Sequence, residues 1–530
     1  MSTMLAGAAP LLRTTLKHDG RRFAPWIVIV TFLSTSSVLV YPWIFPSQQD
    51  RAGLAAAVGG NPAVGLIFGP AFDLSTTDGF NAWRSLALGG FMTALGAIFV
   101  LTRATRGQED SGQAELLASG VLGRASRLLV GIGLALIGSL ALGVIASVLT
   151  GLSGGDWPSS LLLGATFTAT GWMFAAVAAV TAQIGSDSRT ANSIAVGVLG
   201  VLFLLRGFAY SIQAPDWTVW INPLGWMTQT HPGTGNHWWP LGYALALTLV
   251  LTTIAFTLQS RRDFGQGAIA PRPGPARGKD RSTWRLAVRL NGGPIIAWTV
   301  AFLALGLVFG YFATSINDIL GNDSNVSQML AAGATTPDAL IAAFIVTILS
   351  LVGIIAAIPG VQIMLKLRTE EMEDRVELVI ATKVRRVRFY ASNVILALAA
   401  PTLFLLIAGV LIATLASAAD IGVDFGDAVL QTVATVPAVW TIIAVSIAVV
   451  GARPQVSLAA WVGVLSSFVL TLLGPSFKLW DSVLAFSPFW HVPNVTNSDA
   501  DVWGLLWITL VTALFLVVGF IGFRRRDLAR

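Results

Sequence analysis

Twelve long apolar runs constrain this chain more than any other feature. They cover roughly residues 24–45, 83–104, 127–150, 160–184, 190–212 and 238–259, then 293–315, 339–366, 390–417, 428–451, 455–475 and 502–523. A helix needs about 20 mostly apolar residues to cross a bilayer, and each run meets that length. Period-two alternation is absent, which argues against a β-barrel. Charged residues make up 11% of the chain, against about 25% in soluble domains. The first run is too long for a signal-peptide core and no convincing cleavage site follows it, so it is expected to remain. The expected fold is an all-α integral membrane protein with twelve transmembrane helices.

Charge placement predicts the orientation. With the N-terminus inside, cytoplasmic segments hold 29 of the 33 Lys and Arg residues. Only Arg51, Arg84 and Lys478 fall outside, and Arg206 falls within a span. The external loops then hold 14 Asp and no Glu. This is a positive-inside pattern, so the net charge of +6 reflects topology and attraction to anionic lipid, not a nucleic-acid footprint. Both termini are expected in the cytoplasm and the chain in a bacterial plasma membrane.

Three domains follow. Residues 1–263 form a first six-helix half with an N-terminal interfacial helix over 9–22, where Leu11, Leu12 and Leu16 oppose Arg13, Lys17, Arg21 and Arg22. Residues 264–280 are a Pro/Gly-rich cytoplasmic linker. Residues 281–530 form a second half. Its own interfacial segment, 281–291, sets Trp284, Leu286, Val288 and Leu290 against Arg281, Arg285 and Arg289.

The halves repeat each other at an offset near 262. RGQEDSGQAELLASGVLGR (106–124) aligns with RTEEMEDRVELVIATKVRR (368–386), matching Arg106 with Arg368, Glu109 with Glu371, Glu115 with Glu377, Leu116 with Leu378, and Arg124 with Arg386. Asn222-Pro223 through Trp226 resembles Ser487-Pro488 through Trp490, and Arg261-Arg262-Asp263 matches Arg525-Arg526-Asp527. Six spans per half is an even number, so the repeats are parallel and not inverted. The loops after spans 2 and 8 then face the same side, and all six Glu of the protein lie in them. Good helix formers beside an apolar patch suit a short amphipathic helix that docks in a protein groove.

Several chemistries find no support. With no Cys, thiolate metal sites, disulfides and thiol nucleophiles are excluded. No span contains Asp or Glu, whereas an ion-driven carrier usually buries a carboxylate. GPARGK, from Gly274 to Lys279, is one residue short of a P-loop, and no loop is long enough for a nucleotide-binding domain. His231, His237 and His491, with Asp216 and Asp499, lack metal-ligand spacing. Trp217, Trp220, Trp226, Trp238, Trp239, Trp480, Trp490, Trp503 and Trp507 read as an outer aromatic belt. Arg206 either snorkels outward or serves as an anion contact or gate in a cavity.

The interfacial helix, the E-x-L loop after span 2, the Pro/Trp hairpin before span 6 and the basic stop after it resemble an ABC-2 (type V) exporter permease. The fused twelve-span layout is similar to actinobacterial tetronasin or polyketide antibiotic exporter permeases. The resemblance implies that Glu109, Glu115, Leu116, Arg124, Glu371, Glu377, Leu378 and Arg386 belong to coupling helices engaging two copies of a separate ABC ATPase. Pro223, Trp226, Pro488 and Trp490 would then lie in external re-entrant gates. It further implies export of hydrophobic small molecules along a path between the halves, with no covalent chemistry here and ATP and Mg on the partners. The alternative reading is a twelve-span major-facilitator-like drug carrier.

Overall fold

The computed structural model describes residues 6–59, 62–118, 122–262, 267–268, 282–314, 337–419, 421–473, 480–495 and 502–527. These are helical throughout, and no strand occurs among them. Among the described residues twelve helices are long and apolar enough to span a membrane, as expected of a chain whose backbone polar groups must be satisfied internally. The chain divides into two compact units, Met1–Gly274 and Pro275–Arg530.

In the first unit the spans are Ala24–Ile44, Thr77–Thr102, Ser126–Leu152, Trp157–Ile184, Ser188–Ser211 and Pro240–Arg261 (spans 1 to 6). Spans 2 and 4 form its core, and span 4 packs against spans 2, 3, 5 and 6. Small residues allow this close approach. A Cβ on Gly143 of span 3 would stand 2.3 Å from the Gly164 carbonyl oxygen of span 4. Buried hydroxyls turn back on their own helices, as Ser139 does to the Ala135 carbonyl at 2.8 Å. Asn81, Ser34 and Thr150 form a buried polar link between spans 1, 2 and 3.

In the second unit the spans are Thr283–Thr314, Pro337–Met372, Arg386–Ala418, Phe425–Ala452, Pro454–Thr471 and Trp503–Arg525 (spans 7 to 12). Spans 8 and 10 are the central pair. Span 10 meets span 12 where a Cβ on Gly451 would come within 2.2 Å of the Gly519 carbonyl oxygen. Tyr390 of span 9 donates to the Ile447 carbonyl of span 10 at 2.6 Å.

Three features differ from the pattern expected of the sequence. Span 2 begins six residues early, at Thr77, because Thr76 caps it by accepting from Gly79 N at 3.1 Å. The polar first turns escape a hydropathy window because protein, and not lipid, surrounds Asn81 and Ser85. The interfacial segment of the first half is a separate helix, Ala8–Asp19, with Leu12 against Gly133 of span 3 and Arg13 and Lys17 exposed. In the second half no break occurs: residues 283–291 are the first turns of one helix running to Thr314. Arg281 lies outside the described residues. Finally, span 5 is a continuous α-helix, but span 11 passes from a 3₁₀ segment (Pro454–Trp461) through Val462–Phe468 to a π segment (Val469–Leu473). Of the linker, residues 267 and 268 are described, and Ala268 N donates to the Gln183 carbonyl at 3.1 Å.

Candidate functional site

The two repeated loops fold alike. Span 2 ends in a π turn, Arg103–Gly107, and the chain reverses at Gly112 in the left-handed region, φ +73°. The short helix Gln113–Ala118 follows. Span 8 runs on to Met372, reverses at Asp374 with φ +57°, and leads into Arg375–Ile380. Gly112 and Asp374 stand 262 residues apart, as do the helices they introduce. Each short helix has a buried residue at the matching position, Ala114 or Val376.

The glutamates divide into two classes. Glu109 is buried against three guanidinium groups: Arg106 at 2.8 Å, Arg127 at 3.3 Å and Arg262 at 2.8 Å. Arg262, just past span 6, reaches both carboxylate oxygens, the second at 3.2 Å. Glu371 repeats this arrangement. Arg368 lies 3.3 Å away, and Arg526, just past span 12, forks onto both oxygens, with the Nη2 to Oε2 bond at 2.7 Å. A two-pronged Arg–carboxylate pair is strong and directional. The same arginines also cap neighbouring helices. Arg106 Nε donates to the Ala182 carbonyl near the end of span 4, and Arg526 Nε donates to Gly451 at the end of span 10, 3.0 Å. Those carbonyls carry the negative end of the helix dipole. Each clamp therefore joins the loop, the span 6 or 12 terminus and the span 4 or 10 terminus.

Glu115 and Glu377 face solvent, and Leu378 is 75% exposed. The side chain of Leu116 lies outside the described residues. Arg124 is exposed, while Arg386 is half-buried and donates to the Arg526 carbonyl at 3.3 Å. Thus Glu109 and Glu371 are internal, and the accessible acids of the aligned pairs are Glu115 and Glu377. The repeated RRD string at 261–263 and 525–527 was the sequence signal for the clamp; its partnership with Glu109 and Glu371 was invisible because about 150 residues separate them. Arg127 carried no such signal, since its counterpart is Phe389.

At the opposite end of the first unit, Asn222 caps Pro223–Thr228 by accepting from Leu224 N at 3.0 Å, and donates to the Leu202 carbonyl of span 5 at 2.7 Å. Trp226 is half-buried and its indole donates to the Trp220 carbonyl at 2.6 Å. In the second unit Ser487 caps Pro488–His491, while Trp490 is exposed. Arg206 does not snorkel. It is 3% exposed, stacks on Phe203, and donates to the Ile67 carbonyl at 2.9 Å, near the end of Pro62–Phe68. His231 packs on Phe72 with ring centroids 3.8 Å apart; burial first, and then the neighbouring His237, hold its pKa below the usual value. His491, in the other unit, pairs with the Ala485 carbonyl.

The family described as "Multidrug efflux system permease Rv1217c, C-terminal domain" matches residues 51–258 and 281–524. The chain belongs to this family. It is also 34% identical over 534 residues to "Multidrug efflux system permease protein Rv1217c" of Mycobacterium tuberculosis (strain ATCC 25618 / H37Rv), covering 98% of this chain and 95% of the relative. A multi-pass drug-efflux permease is therefore the class of protein at hand.

Proposed function

We propose that this permease is the membrane subunit of an ATP-driven, ABC-2 (type V) exporter that moves hydrophobic, drug-like small molecules out of a bacterial cell. ATP and Mg are bound by two copies of a separate ATPase subunit. These dock on the exposed faces of Gln113–Ala118 and Arg375–Ile380, using Glu115, Glu377 and Leu378. The observation that carries this reading is the duplicated clamp. A push on either short helix passes through the left-handed turn to Glu109 or Glu371, and from there to the ends of spans 4 and 6 or 10 and 12. Buried ion pairs resist distortion because separating them strands charge, so the loop moves with its bundle. The capped hairpins at Pro223 and Pro488 act as outer gates, and Arg206 positions the short helix Pro62–Phe68. Cargo release follows from weaker binding in the outward-open state.

The test is mild-detergent purification from the native host, with mass spectrometry of what copurifies. The expected result is an ATPase subunit at two copies per chain, lost when Glu115→Lys and Glu377→Lys are combined, with the thermal melt unchanged. Full transport and full ATPase stimulation in the double variant would remove the coupling assignment.

A further inference from the structure

Two cavities adjoin at the loop end of the second unit. One, of about 190 Å³, lies between the first turns of span 7, the end of span 8, the short helix Arg375–Ile380 and the start of span 9. The other, of about 90 Å³, continues along spans 7 and 8 and shares Asn291, Ile363 and Lys366 with the first. Pro294 and Pro359 stand on the two facing helices at the second cavity. Proline leaves the carbonyl four residues before it without its helical hydrogen bond, so each helix carries a backbone irregularity beside this cavity.

The larger cavity has apolar walls, including Leu286, Ile363, Val376 and Phe389. Three polar side chains on it are each more than nine-tenths buried: Thr283, Asn291 and Asn393, at 8%, 3% and 7% exposure. Thr283 Oγ1 has no hydrogen-bond partner. Asn291 and Asn393 each spend Nδ2 on a carbonyl of their own helix, Ala287 at 2.9 Å and Phe389 at 3.1 Å. Among the described residues no protein donor reaches either Oδ1. Buried polar atoms are normally satisfied, and Thr283 Oγ1, buried without a partner beside the two asparagines, calls for an occupant. The charges at the rim are already engaged: Arg375 forks onto Glu370 at 3.1 Å, and Lys366 donates to the Leu290 carbonyl.

We propose that the paired cavities bind a single-chain amphiphile with a neutral hydroxyl head. The hydroxyl donates its one proton to Asn291 Oδ1, which borders both cavities, and accepts from Thr283. The alkyl chain lies in the second cavity against Trp298 and Phe404. A carboxylate head is disfavoured, because the unused groups are mainly acceptors. The site touches Val376, the buried anchor of the short helix, so its occupant lies directly behind the loop. The proposal does not depend on the coupling reading, and its test needs no ATPase.

The full chain, purified into lipid nanodiscs, is photolabelled with a diazirine-bearing octanol and the labelled peptides are mapped. Saturable labelling is expected within 283–298, 359–376 and 389–404, competed by octanol but not by octanoate. Val376→Trp and, from the opposite wall, Ala287→Phe each fill the cavity and remove most of that labelling. Thr283→Val combined with Asn291→Leu raises the half-saturating octanol concentration about tenfold through lost hydrogen bonds. Labelling that does not saturate, that spreads evenly over lipid-facing helices, or that survives both wall variants overturns the proposal. Equal competition by octanoate overturns the neutral head.

Discussion

Neutralising a carboxylate that is 2–6% exposed and faces two or three guanidinium groups removes a charge-assisted partner from each of those largely buried cations. Glu109→Gln and Glu371→Gln are therefore each expected to destabilise their half by roughly 3–5 kcal/mol, read as a lower melting temperature in detergent. Glu109→Gln should cost more, since Glu109 pairs with three guanidinium groups and Glu371 with two. A double-mutant cycle with Arg262→Gln should return a large coupling energy; additive effects would show the clamp to be energetically idle. Glu115→Gln, at an exposed position, should leave the melt unchanged. The backbone offers a second check. Asp374 holds φ +57° where its repeat partner is glycine. Asp374→Gly should be tolerated and Asp374→Val should disrupt the turn, because a β-branched side chain resists the left-handed region.

Among whole elements, close helix crossings and caps decide the outcome. Gly451→Leu would drive a side chain into the Gly519 backbone, where even a Cβ comes within 2.2 Å of the carbonyl oxygen. Spans 10 and 12 must then part, and Arg526 loses its position on Glu371; reduced expression and loss of a cooperative melt are the expected readouts. At the other end, Asn222→Ala removes the cap of Pro223–Thr228 and the bond to Leu202, at an expected cost of about 1–2 kcal/mol. An unchanged melt would show the hairpin to be held by its tryptophans alone. Element existence and order were legible in the sequence because a span advertises itself by twenty consecutive apolar residues. The early start of span 2, the unbroken span 7 and the irregular span 11 were not. Each depends on whether protein or lipid surrounds a turn, and hydropathy cannot separate the two.

For the molecule as a whole, the testable statement is sidedness. The chain contains no Cys, so single cysteines report without background. Glu115→Cys and Leu378→Cys should react with a membrane-impermeant maleimide only from the cytoplasmic face, and Trp217→Cys only from outside. Reaction of both loop cysteines on opposite faces would refute the parallel repeat. Each unit also has its own buried core, so the two halves expressed as separate chains should each insert and resist protease.

The sequence by itself determined the all-helical membrane class, the count of spans and the repeated motif after spans 2 and 8. These are properties of composition and local spacing, which survive without any knowledge of packing. Only the tertiary structure decided what each glutamate does. Glu109 and Glu115 lie six residues apart in the same motif, yet one is caged by an arginine beyond span 6 and the other faces solvent. Burial is set by helices distant in sequence, and so were the inward turn of Arg206 toward Ile67 and the cavity behind Val376.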